Sequence, residues 1–155
     1  MRRSAHPTLE QSLAGCLLGT AVGDSIGLPF ENLSRRSVSK LVRLPLSQSL
    51  VFGRGLLSDD TEHTQMVALS LLEAGSDAAH FRRRLASRLR WWLLAGPPGV
   101  GSATARAILK LWIGVSPASS GVFSAGNGPA MRAAMIGVMR GTEPARLIEM
   151  VKGRA

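Results

Sequence analysis

The densest polar cluster in the chain is Ser58-Asp59-Asp60-Thr61-Glu62-His63. Adjacent aspartates flanked by hydroxyls offer several hard oxygen donors, the set that Mg²⁺ takes in octahedral geometry while keeping some of its water. The same residues also make an over-determined helix start: Ser58 is a good cap, and Asp59, Asp60 and Glu62 fall where the helix dipole favours acids. Asp24 and Glu31 bracket the segment GDSIGLPFE. A carboxylate from that segment meeting the Ser58 cluster would add to a cation site, whereas each acid alone reads as a solvated charge. Gly126-Asn127-Gly128, leading into Pro129-Ala130-Met131-Arg132, presents backbone N–H groups suited to phosphate, and it is equally a common way into a helix. Gly99-Val100-Gly101-Ser102 carries the same two readings. His63 lies within a turn of the aspartates, close enough to bond one, although a structural role is expected of it. His6 and His80 have no evident partners, and Trp91 and Trp92 read as core or interface residues.

Helices must position these groups. Thr8 and Gln11 have capping-box spacing, and Leu9, Leu13, Cys16, Leu17 and Ala21 keep helical spacing after them. Glycines 15, 19, 23 and 27 recur every four residues, so they share one face and predict a tightly packed central helix despite a cost of roughly 1 kcal/mol per interior Gly. Residues 32–57 read as irregular. A helix is expected from the Ser58 cap through Met66, Leu69 and Leu72 to Gly75. Asp77 caps the next, with Phe81, Leu85, Leu89 and Leu93 as its apolar stripe and Arg82, Arg83, Arg84, Arg88 and Arg90 mostly off it. After the break at Gly96-Pro97-Pro98-Gly99, helices are expected from Ser102 to about Trp112, from near Pro129, and from Pro144. The last has no later element for its apolar face. No stretch alternates as a strand would, so the fold class is all-α.

The composition fits a globular chain. Of 155 residues 45% are hydrophobic and 5% aromatic, enough apolar surface to exclude a disordered protein. No apolar run is expected to reach the ~20 residues of a membrane helix. Arg2-Arg3 ahead of Leu13-Ala14-Gly15-Cys16 superficially resembles a lipoprotein signal, but residues 4–12 are polar where such a signal is apolar. A cytoplasmic protein with a reduced, buried Cys16 is therefore expected. The net charge of +9 is uneven: seven basic and eight acidic residues precede position 78, and twelve basic and two acidic residues follow. The second half suits an anionic ligand or an acidic partner. Nucleic acid is not the expected partner, because no aromatic platform accompanies the arginines.

Taken together and in order, GCLLGTAVGDSIGLPFE (15–31), SDDTEHT (58–64), PPGVGSATARAILKLW (97–112) and SAGNGPAMRAAMIG (124–137) resemble the ADP-ribosylglycohydrolase family, of the dinitrogenase reductase-activating glycohydrolase type. The resemblance covers almost the whole chain and implies an all-α helical bundle around two Mg²⁺ ions. By the same resemblance, Ser58, Asp59 and Asp60 would be metal ligands, and Glu31 a ligand or proton-transfer group. Glu31, Asp59 and Asp60 are thus the expected catalytic residues. Gly126, Asn127 and Gly128 would surround the diphosphate and ribose, with Gly99, Gly101 and Ser102 lining the same pocket. Asp24 is expected to serve helix packing. The implied reaction removes ADP-ribose from a protein side chain or a small acceptor. The family's second metal motif, D-x-D-[T/S], has no counterpart, since no aspartate follows Asp77. Residues 1–155 are accordingly expected to be the first portion of one larger domain, its second metal position incomplete without a continuing segment or a partner chain. The alternative is a non-catalytic remnant that binds ADP-ribose.

Overall fold

The computed structural model describes residues 7–151 apart from Pro98 and Asn127. These residues form seven α-helices and one 3-10 turn, and no strand; Val51 and Arg54 make an isolated antiparallel bridge. The all-α expectation holds.

Helix α1 (Leu9–Gly27) begins at the Thr8–Gln11 capping box, each residue's side chain accepting from the other's backbone N–H. It runs into the 3-10 turn Leu28–Phe30, so the apolar stretch Leu9–Phe30 spans 22 residues with mean hydropathy 1.4. By length and composition alone this helix can cross a membrane, which corrects the expectation that no run is long enough. Glycines interrupt the run without charging it, and the turn at Pro29 extends it. The same composition fits the central helix of a domain, and α1 does pack on α3 and α6 through Leu13, Cys16 and Leu17. Cys16 is half-buried rather than buried. The glycine face is a second correction. A Cβ built on Gly15, Gly19, Gly23 or Gly27 would meet nothing within 4 Å, so no described residue uses the close approach that the stripe allows.

Residues 32–57 are less irregular than expected: Ser34 caps a short α2 (Arg35–Leu41), its hydroxyl accepting from Ser37 N–H. The loop after it is tied back to α1. Gln48 Nε2 donates to Ser25 Oγ and Gln48 Oε1 accepts from Gly55 N–H, both at 3.0 Å.

The core is built on α3 (Asp59–Ala74), whose buried Val67, Ala68, Leu71 and Ala74 recur at three- and four-residue spacing. They pack with Ala78 and Phe81 of α4 (Ala78–Leu94), with Met135 and Ile136 of α6 (Gly128–Arg140), and with Met150 of α7 (Pro144–Val151). The apolar face of α7 thus packs backwards, onto α4 and α6. Asp77 Oδ1 caps α4 through the N–H groups of Ala79 and His80. Glu73 on α3 pairs with both Arg84 and Arg88, so part of the arginine face closes on α3. Helix α5 (Ser102–Trp112) lies on α4, contributing the buried Ile108 and Leu111. Trp91 is exposed, and Trp92 turns inward.

Candidate active site

One cleft of ≈ 790 Å³ collects nearly all the predicted site residues: Glu31, Asp59, Asp60, Gly99, Gly101, Ser102, Gly126 and Gly128 line it. Asn127 lies outside the described residues. Ser58 does not line the cleft; it is buried behind it as the N-cap of α3.

Ser58 is occupied by Asp24, at the far end of α1. The Asp24 carboxylate accepts from Ser58 N–H at 2.8 Å, Ser58 Oγ at 2.7 Å and Thr61 N–H at 3.2 Å, and from the Thr61 hydroxyl. A residue 34 positions upstream therefore caps α3 from outside, fulfilling its expected packing role. Burial raises the Asp24 pKa, but the hydrogen bonds from Thr61 and Ser58 outweigh it and hold the carboxyl below its ordinary value. This bond set fixes where α3 begins, and so where Asp59 and Asp60 sit.

Asp59 and Asp60 are half-buried. Desolvation pushes both carboxyls above their ordinary values. Asp24 and Glu62 add repulsion at Asp59, and Asp59 and Asp24 add it at Asp60. Desolvation, then the charges of Asp59, Asp60 and Asp24, likewise raise Glu31. Three carboxylates thus line one cleft, which is the donor chemistry a hard ion requires. Among the described residues, however, no group of three or more His, Cys, Asp or Glu side chains converges closely enough to hold a metal. A Mg²⁺ ion fits this face only if bound through one or two carboxylates, with waters or other donors completing its shell.

The N-terminus of α5, which lines the same cleft, is open. Gly101 provides no side-chain cap and no acid occupies the first turn. The N–H groups of Ser102, Ala103 and Thr104 have no helical acceptor, which leaves a positive end facing the cleft. Gly99 adopts φ +76°, a left-handed conformation natural to glycine. At the start of α6, a Cβ on Gly128 would stand 3.4 Å from Thr104 Oγ1 and 3.9 Å from an Arg132 Nη, so a bare backbone lets the two helix starts approach.

His63 does not bond an aspartate. It is fully buried, its Nδ1 accepts from Arg132 Nε at 3.1 Å, and its ring meets Trp92 edge to face at 4.4 Å between centroids. Trp92 Nε1 in turn donates to Glu62 at 2.6 Å. Desolvation and then the Arg132 charge drive the His63 pKa down to about 3, so the ring is neutral. With Nδ1 as acceptor the proton sits on Nε2, which is buried without a partner among the described residues. Thr64 Oγ1 lies within reach of the carbonyls of Asp60 (2.8 Å) and Met131 (3.1 Å), joining α3 to α6 beside this pair. Sequence reasoning missed Arg132, Thr104 and Thr61. Arg132 lay inside a quoted motif, but its partner is 69 positions away and no spacing rule connects them.

A family model described as ADP-ribosylglycohydrolase matches residues 5–154. An uncharacterized protein from Archaeoglobus fulgidus is 38% identical over 137 residues, covering 84% of this chain and 44% of that relative. The ADP-ribosyl-[dinitrogen reductase] glycohydrolase of Rhodospirillum rubrum is 29% identical over 132 residues, covering 81% of this chain and 44% of its own length. The chain thus spans less than half the length of these relatives. With an all-α fold and a family match over nearly its full length, the chain belongs to the ADP-ribosylglycohydrolase family.

Proposed function

We propose that this chain carries the ligand-holding part, and half of the acid machinery, of an enzyme that hydrolyses the glycosidic bond between ADP-ribose and an acceptor. The observation that carries this reading is that Glu31, Asp59 and Asp60 line one cleft together with the open start of α5, Gly126 and Gly128. Oxyanions favour uncapped amide donors, and a diphosphate presents oxyanions. Carboxylates suit the opposite end of the ligand, because glycosidic cleavage builds positive charge at the anomeric carbon. Glu31 is exposed at the cleft mouth, and its raised pKa suits a group that takes a proton from an attacking water. Asp59 and Asp60 would hold Mg²⁺ from one side, with the Ser58 hydroxyl committed to Asp24 behind them. When bound, Mg²⁺ would supply Lewis-acid polarisation and a template for ribose hydroxyls.

A second reading, binding of ADP-ribose without turnover, is favoured by one observation: no three acidic side chains converge on a metal position among the described residues. One experiment separates the two. The chain is incubated with Mg²⁺ and ADP-ribosylated arginine or serine peptides, alone and with the C-terminal half of a longer relative. Release of free ADP-ribose that Asp59→Ala reduces by at least ~100-fold supports hydrolysis. Binding of ADP-ribose that chelator leaves unchanged, without release in either mixture, supports the second reading and overturns the first.

A further inference from the structure

We infer that Arg132 grips the oxyanion of the bound ligand in this cleft and that buried His63 is the positioning residue that aims it. The inference rests on the ADP-ribose reading for the identity of the ligand, but not for the existence of the anion grip.

Arg132 stands in the cleft wall beside Asp59, its guanidinium end lying over Gly128. It spends one donor, Nε, on His63 Nδ1, and no described residue accepts from Nη1 or Nη2. The choice of partner matters. A carboxylate in the place of His63 would orient the guanidinium equally well but would neutralise it. A neutral imidazole orients it and adds no countercharge to that of the nearby Asp59. Two features keep the ring neutral and still: complete burial, and the edge-to-face packing of Trp92, which Glu62 holds by its indole N–H. Two forked N–H donors therefore remain beside the glycine turn and the uncapped start of α5, a geometry that matches phosphate oxygens.

The test is calorimetry on the whole chain with two separate probes, ADP-ribose and inorganic pyrophosphate. Arg132→Gln is expected to weaken both by about 10- to 100-fold, the cost of losing charge-assisted bonds, and Arg132→Lys to fall between. His63→Asn keeps an acceptor near the Nδ1 position without charge and should bind within about 3-fold of wild type. His63→Asp has the same size but pairs with the guanidinium, and should weaken both probes about as much as Arg132→Gln. Circular dichroism confirms that each variant is folded; if Arg132→Gln is not, Arg132→Lys and the His63 pair carry the test. Wild-type binding by Arg132→Gln overturns the inference while the ADP-ribose reading stands. Equal behaviour of His63→Asn and His63→Asp overturns the positioning role. Arg132-dependent binding of pyrophosphate without binding of ADP-ribose upholds the grip and overturns the ligand's identity. No binding of either probe by wild type overturns both.

Discussion

Asp59, Asp60 and Glu31 are each held above the ordinary carboxyl pKa, first by desolvation and then by one another's charge. Without a cation this is a liability: as pH rises through the raised values, the native state must ionise groups that the unfolded chain ionises more easily, and stability falls. Asp60→Asn removes one of the repelling charges. In chelator it should raise the urea midpoint of unfolding, by about 0.5–2 kcal/mol of stability, while weakening the Mg²⁺ binding proposed above, as read by calorimetry. A destabilised Asp60→Asn would show that the carboxylate is needed for the fold. The cluster was evident in the sequence because its residues are adjacent. A carboxylate from the Asp24–Glu31 segment was expected to meet it, but the specific bonds of Asp24 to Ser58 and Thr61 were not legible, because they cross 34 and 37 positions.

Among the elements, α1 separates what glycine spacing predicts from what it leaves open. The four-residue recurrence correctly placed the glycines on one helix, since periodicity is local. It did not say what lies against that face, and among the described residues nothing does. Gly55 is the reverse case: isolated in sequence, it would bring a Cβ within 2.6 Å of Ser25 Cβ and 2.8 Å of Gln48 Cδ. The two sites therefore predict opposite signs. Gly19→Ala should stabilise by about 0.5–1 kcal/mol through helix propensity, and Gly55→Ala should destabilise by about 1–3 kcal/mol through overpacking. Chemical unfolding of the two variants beside wild type checks both. The caps at Thr8, Ser58 and Asp77 were legible for the same local reason, as was the helical stretch from Ser102 to Trp112. The short α2 was not, because seven residues carry too little periodicity to stand out from a loop.

Across the whole molecule, the buried apolar core joins α3, α4, α6 and α7, while of α1 only Asp24 and Ser25 are buried. Beyond half-buried contacts, α1 is attached to the site helix by one carboxylate with four donors. Asp24→Ala leaves those donors without their acceptor and should cost about 2–4 kcal/mol. Because the folded Asp24 pKa lies below 3.8, its contribution is present above that ordinary value and lost as pH falls through the lower folded one. The gap in urea midpoint between wild type and Asp24→Ala should therefore narrow on acidification; a gap that stays constant to low pH contradicts this. The same anchor sets how the molecule breathes. An excursion that frees α1 alone disrupts the Asp24 bonds, the Gln48–Ser25 bond and the Leu13–Leu17 contacts, whereas freeing α3 dismantles the core. Amide hydrogens of α1 should thus exchange with solvent through a shallower opening than those of α3, and acid should deepen that difference. The cleft acids would then sit at the seam between a firm part of the molecule and a loosely moored one.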